Sequence, residues 1–186
     1  MAITRLGPNQ LLNLANNVTG TLPASNGGTG ATSFSPGKVL QVVQTNFSTT
    51  FATTSNSLVD ITPATVTITP SSSSNKVLVQ FTMYCGGSGD EVRLSLLRGS
   101  TVIGNNSATQ TEAFTGIIDQ YRMNTCNYTF LDSPSTTSAT TYKLQILAAS
   151  GHTIYINSRH YNAVSTGTSS HWGNSVITVM EIAAWL

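Results

Sequence analysis

Charge is what this sequence has least of. Lys and Arg contribute eight residues and Asp and Glu seven, 8% of the 186-residue chain, against about 25% in an ordinary globular protein. The formal net charge is +1, so there is no basic excess to bind a phosphate backbone, and no nucleic-acid partner is expected. Cysteine is nearly absent as well. Cys85 and Cys126 are the two, and neither belongs to a C-x-x-C pair, which argues against a redox or structural metal site. Two buried free thiols is the favoured reading, and a single Cys85–Cys126 bridge stays open. Long apolar runs are missing, so no membrane insertion is expected. Residues Met1–Leu14 contain Arg5 and Pro8 and lack the apolar centre of a secretory signal, so the expectation is synthesis in a cytoplasm without conventional export.

Catalytic signatures are missing too. Gly86-Gly87-Ser88-Gly89-Asp90 has the wrong order for a nucleophile elbow and reads as a loop between strands. Asn26–Gly30 lacks the Lys-Ser/Thr of a phosphate-binding loop. His152, His160 and His171 show no metal-ligand spacing. The acids Asp60, Asp90, Glu91, Glu112, Asp119 and Asp132 are scattered, whereas sugar hydrolysis needs two that flank one pocket. The sequence therefore predicts no catalytic residues, no metal, no cofactor and no enzyme.

What is present is Ser and Thr, 52 of the 186 residues, with 39% apolar residues. Thr favours strands and Ser favours turns, so the composition predicts a β protein with an uncharged polar surface. From Lys38 onward the apolar residues recur at every second position. Lys76–Cys85 puts Val77, Val79, Phe81, Met83 and Cys85 on one face. Glu91–Arg98 puts Val92, Leu94 and Leu96 inward and Arg93 and Arg98 outward. Thr141–Ala148 puts Tyr142, Leu144, Ile146 and Ala148 on one face. Leu58–Ile61 and Ala64–Thr69 read as two short strands. About ten strands broken by Ser, Gly, Pro and Asn turns predict an all-β fold, an antiparallel jelly-roll β-sandwich over residues 37–186.

The segment 1–36 differs. Pro8–Asn16 can form two helical turns with Leu11, Leu12 and Leu14 on one face, too short to stand without a partner. An extended stretch with Val18 and Leu22 follows, then a glycine-rich linker. The last strand, Asn174–Leu186, is apolar on both faces. Val176, Met180, Ile182 and Ala184 line one. Ile177, Val179, Ala183 and Trp185 line the other, with Glu181 its single charge. The second face is expected to meet another copy of the chain, because large apolar patches are uncommon on monomers, the alternative being a loop of the same chain that covers it. The loop Ser158–Gly173, with Arg159, His160, Tyr161, His171 and Trp172, is the candidate ligand-binding loop, since aromatic rings stack on sugars and anchor interfaces, and the equal alternative is that Trp172 and Tyr161 pack over the end of the sandwich or between subunits.

Val18-Thr19-Gly20-Thr21-Leu22-Pro23 with Asn26-Gly27-Gly28-Thr29-Gly30-Ala31-Thr32 resembles a segment common in tail fibres and other appendage proteins of tailed phages, marine ones especially. Lys76–Phe81, Tyr128–Pro134 and Ser175–Ile182 resemble the trimeric jelly-roll head of such proteins, itself similar to tumour necrosis factor and complement-type globular domains. The resemblance implies a homotrimer with the closing strand near the three-fold axis. It further implies a virion location, with Leu11, Leu12, Leu14, Val18 and Leu22 docking on a capsid or tail protein. With some 36 residues before the head, a short spike, head fibre or capsid decoration protein fits better than a long fibre. The alternative is a tail-fibre tip that recognises a host surface glycan.

Overall fold

The computed structural model describes residues 38–88, 91–104, 114–117, 122–148, 151–159 and 172–184. Every regular element among them is a strand: β1 (Val39–Phe47), β2 (Phe51–Thr53), β3 (Val59–Ile68), β4 (Lys76–Gly87), β5 (Glu91–Arg98), β6 (Thr101–Ile103), β7 (Phe114–Ile117), β8 (Asn124–Asp132), β9 (Thr140–Leu147), β10 (Ile154–Ile156) and β11 (Ser175–Ile182). They form two antiparallel sheets, a β-sandwich. In the first, β11 lies between β1 and β4, and β8 runs along the other edge of β4. The far end of β4 pairs with β10, which pairs with β2. In the second, the order is β3-β9-β5-β6, with β7 also on β5.

Alternation of apolar and polar residues places the core. Val77, Val79, Phe81, Met83 and Cys85 of β4 face Val92, Leu94 and Leu96 of β5 and Tyr142, Leu144 and Ile146 of β9, all buried in one cluster. Each such side chain contributes about 1.5–3 kcal/mol by leaving water, which lets a domain this poor in ion pairs fold. The two stretches expected as separate strands, Leu58–Ile61 and Ala64–Thr69, are one strand, β3. Its register against β9 shifts between Asp60 and Thr65. Pro63 lies inside that shift and has no N–H to give the ladder, so the chain bulges there and then resumes pairing.

One expectation is corrected by the register. Arg98 is not an outward residue: it sits opposite Tyr142 on the core side of the second sheet, at the end of β5. Its guanidinium reaches Asp132 of the first sheet, with Nη1 donating at 2.8 and 2.9 Å to the two carboxylate oxygens. The Tyr142 hydroxyl donates to the same carboxylate at 2.7 Å. Burial, then the hydrogen bond to Asp132, pushes the Tyr142 phenol far above its ordinary value. Asp132 is only 5% exposed, so a charge is held inside the sandwich by donors from two strands of the facing sheet. This clamp closes one end of the core.

Candidate interaction surface

The outward face of the first sheet is built by register. Val42 of β1 stands opposite Met180 of β11, Met180 opposite Leu78 of β4, and Leu78 opposite Leu131 of β8. Residues directly opposite across antiparallel strands share a face and touch, so these four form one apolar row across four strands. Val42 is 56% exposed and Leu131 52%. Val39 and Leu40, also exposed, and the half-buried Ile182 extend the row at one side. Lys76 is the one charged residue that β1, β4, β8 and β11 place on this face, and its ammonium is turned to Ser133 Oγ at 2.8 Å. Charge thus does nothing to keep other apolar surfaces away.

The next rows are polar but uncharged. Gln44, Thr178, Gln80 and Thr129 stand in register, and Gln44 and Gln80 donate to the hydroxyls of Thr178 and Thr129 at 2.9 and 3.3 Å. Beyond them a shallow groove of about 370 Å³ is lined by Gln80, Thr82, Asn127, Thr129, Val176 and Thr178.

The position of β11, which carries the centre of this face, is fixed from beneath. Glu181 points inward and is 1% exposed. Burial alone would push its carboxyl up. Donation by Asn75 Nδ2 at 2.6 Å, Gln41 Nε2 at 2.7 Å, and the Ser71 N–H and hydroxyl at 2.6 and 2.8 Å overcomes that and holds it down at about 2. One carboxylate therefore ties β1, the turn before β4 and the end of β11 together. Asn75 completes the knot by accepting from the Ala184 N–H at 3.1 Å.

At the other end of the sheet, the stems of the 158–173 loop are locked. Asn157 is fully buried and takes a left-handed φ of 60°, a conformation asparagine tolerates better than most residues. Its amide donates to the Phe47 and Thr49 carbonyls at 2.8 and 3.2 Å and accepts from Ser175 Oγ at 2.6 Å. Ser158 bridges Trp172. Gly173 packs so tightly on Tyr84 that an added Cβ would lie 2.5 Å from the tyrosine Cβ. Trp172 itself is 61% exposed.

Of the binding-loop residues expected from sequence, Arg159 is half-buried and Trp172 projects into solvent; His160, Tyr161 and His171 lie outside the described residues. So do the anchor residues Leu11, Leu12, Leu14, Val18 and Leu22. The face of β11 assigned to contact another copy is corrected. Ile177 and Val179 are fully buried in the core between the two sheets, Ala183 is half-buried, and Trp185 lies outside the described residues. The opposite face, with Val176, Met180 and Ile182, looks outward. Both faces of the strand are apolar, so hydropathy could not say which one met the second sheet. Leu78, Val42 and Leu131 were not singled out from sequence at all. Each is an ordinary residue in its own strand, and only cross-strand register brings them together. Among the described residues no three His, Cys, Asp or Glu side chains gather in a way that could hold a metal ion, and no helix is long and apolar enough to cross a membrane.

No family model matches the chain, and no curated protein matches it. Among solved structures, the chain is similar to one described as the structure of the Gx strain of infectious bursal disease virus, with a TM-score of 0.39 and 10% identity over 99% of this chain. It is similar also to the VP2 subviral particle of infectious bursal disease virus, with a TM-score of 0.34 and 12% identity over 98% of this chain. The chain spans 43% and 46% of the length of those two chains. Likeness at this level does not bear on what the chain does.

Proposed function

We propose that this chain is a structural component of a phage virion, a short spike, head fibre or capsid decoration protein, whose sandwich head associates with two further copies of itself and catalyses nothing. The observation that carries the reading is the outward row Val42–Met180–Leu78–Leu131, continued by Val39, Leu40 and Ile182, on a sheet face with a single charged residue. A continuous apolar strip that spans a sheet is stable when another protein surface covers it. A surface without charge patterning selects a partner equally poor in charge, and another copy of this chain meets that requirement. The three-fold number and the virion location come from the resemblance to trimeric heads of phage appendages. The segment 1–36, with Leu11, Leu12, Leu14, Val18 and Leu22, is assigned to docking on a capsid or tail protein.

Sedimentation equilibrium tests the association. The purified chain is expected to sediment as a trimer. Leu78→Glu puts a charge in the middle of the row and leaves the core untouched, so it should yield a folded monomer with an unchanged circular dichroism spectrum. A Leu78→Glu protein that remains trimeric removes the outward face from the interface.

A second reading, recognition of a neutral host surface glycan, is favoured by a different observation. Exposed Trp172 sits on a locked stem beside Tyr84, at the end of β4 that leads into the uncharged groove of amides and hydroxyls. Stacking on an aromatic ring and hydrogen bonding to amides is how neutral sugars are held. On that reading Trp172→Ala lowers adsorption of the protein to host cells at least about tenfold, the ratio for losing one contact of about 1.4 kcal/mol. Adsorption equal to wild type excludes Trp172 from any receptor contact.

A further inference from the structure

Cys85 lies near the end of β4 and Cys126 near the start of β8. The register pairs Met83 with Cys126 and Cys85 with Asn124, so the two cysteines are diagonal neighbours on the same face of adjacent antiparallel strands. Both point into the core, with exposures of 0% and 1%, and both are free thiols. The Cys85 thiol is engaged with Cys126, which together with burial pushes it well above its ordinary value. It also leans on the Met83 carbonyl at 3.9 Å. Two thiols that are diagonal neighbours in an apolar interior, on the two strands whose far ends carry Leu78 and Leu131, are more than a pair of small core residues.

We propose that Cys85 and Cys126 are a site of covalent modification: an intrachain disulfide that closes when the protein meets an oxidising medium. The step is thiol–disulfide exchange with a small disulfide such as oxidised glutathione. One protein thiolate attacks the reagent's sulfur and expels one glutathione thiolate. The second protein thiolate then attacks the mixed disulfide at the protein sulfur and expels the other. Two protein thiols are oxidised, one reagent disulfide is reduced, and two glutathione molecules leave carrying the two protons. The bond would staple β8 to the central strand β4 and close the loop that spans residues 86–125. Among the described strands β8 pairs with β4 alone, so opening of this edge gives the reagent its access. While the sheet is closed the thiols are inert, because both lie buried in the core where no reagent reaches them. The protein is thereby reduced and adaptable when made, and locked after release. This inference is independent of what the head binds or how many copies associate.

The test takes the purified full chain, reduced, and exposes it to oxidised glutathione, once folded and once during refolding from denaturant. The expected product has lost two hydrogens in its intact mass, yields a proteolytic fragment that joins Cys85 to Cys126, and melts about 10 °C higher, the shift expected for closing a loop of this length. Cys126→Ser should show neither the mass loss nor the higher melting temperature. Glutathione adducts or bonds between chains without an internal bond, thiols still free after oxidative refolding, or an internal bond that lowers the melting temperature would each overturn the proposal.

Discussion

Glu181→Ala is expected to destabilise the sandwich by about 3 kcal/mol, lowering its melting temperature by roughly 10 °C. The carboxylate is 1% exposed and accepts from Asn75, Gln41 and both donors of Ser71. Truncation leaves these donors facing an empty space, and unpaired buried donors cost about 1–3 kcal/mol apiece where water cannot reach them. Gln41 keeps its second acceptor, the Thr69 carbonyl at 2.7 Å, and Ser71 is exposed enough to find water. The loss is therefore less than the sum. The same group sets an acid limit. Its folded value, about 2, lies below its ordinary 4.5, so the stabilisation is complete above about 4.5 and disappears as pH falls through 2. The difference corresponds to about 3 kcal/mol. Thermal melts of wild type between pH 7 and pH 2 should show this decline. Glu181→Gln, which cannot ionise, should be less stable at pH 7 and show a shallower decline over that window. Parallel curves for the two proteins would mean that Glu181 is not the group responsible.

Gly86→Ala should cost about 3 kcal/mol, and it should do so without any change in polarity. A Cβ at position 86 would stand 2.5 Å from the Ser158 carbonyl oxygen and 2.8 Å from the Arg159 Cα. Both are backbone atoms, held by the Asn157 knot, so nothing nearby can rotate aside. Overpacking of this kind typically costs 1–3 kcal/mol, more where the neighbours cannot move. The comparison is Gly99→Ala in the β5–β6 turn. There φ is +60° and no atom lies within 4 Å of the added carbon, so the cost is backbone strain alone, about 1 kcal/mol. Denaturant unfolding of the two variants separates the cases. If Gly86→Ala proves no worse than Gly99→Ala, the close approach of the 158 stem to β4 is not as described.

The core was legible in the sequence because it depends on alternation within single strands. Val77–Cys85, Val92–Leu96 and Tyr142–Ala148 each announce their inward face by the spacing of apolar residues, and the structure buries them as expected. The outward row was illegible for a physical reason: it takes one residue from each of four strands distant in sequence, and no single strand records its register against the others. β11 failed in an instructive way. Its two faces are both apolar by spacing, and Glu181, the single charge on the face of Ile177 and Val179, carries no mark in the sequence of the buried partners that hold it inward. A carboxylate satisfied by four hydrogen bonds is as much a core group as a valine, and its donors Gln41, Ser71 and Asn75 lie far away in the chain. Arg98 was misplaced likewise, because a cation at a strand end reads as exposed until its buried partner Asp132 is known.

The four-strand row has a consequence for assembly fidelity. Strands β4 and β8 each donate a single apolar member, so a two-residue slip of either keeps its alternation intact yet brings Lys76 or Gln80 into the place of Leu78, or Thr129 or Ser133 into the place of Leu131, and breaks the row. A chain with such an error could still bury its interior and look folded by itself. It could not present an unbroken strip to its companions. On the proposed association through this face, pairing would act as proofreading, admitting only those copies in which β4 and β8 are correctly aligned with their neighbours.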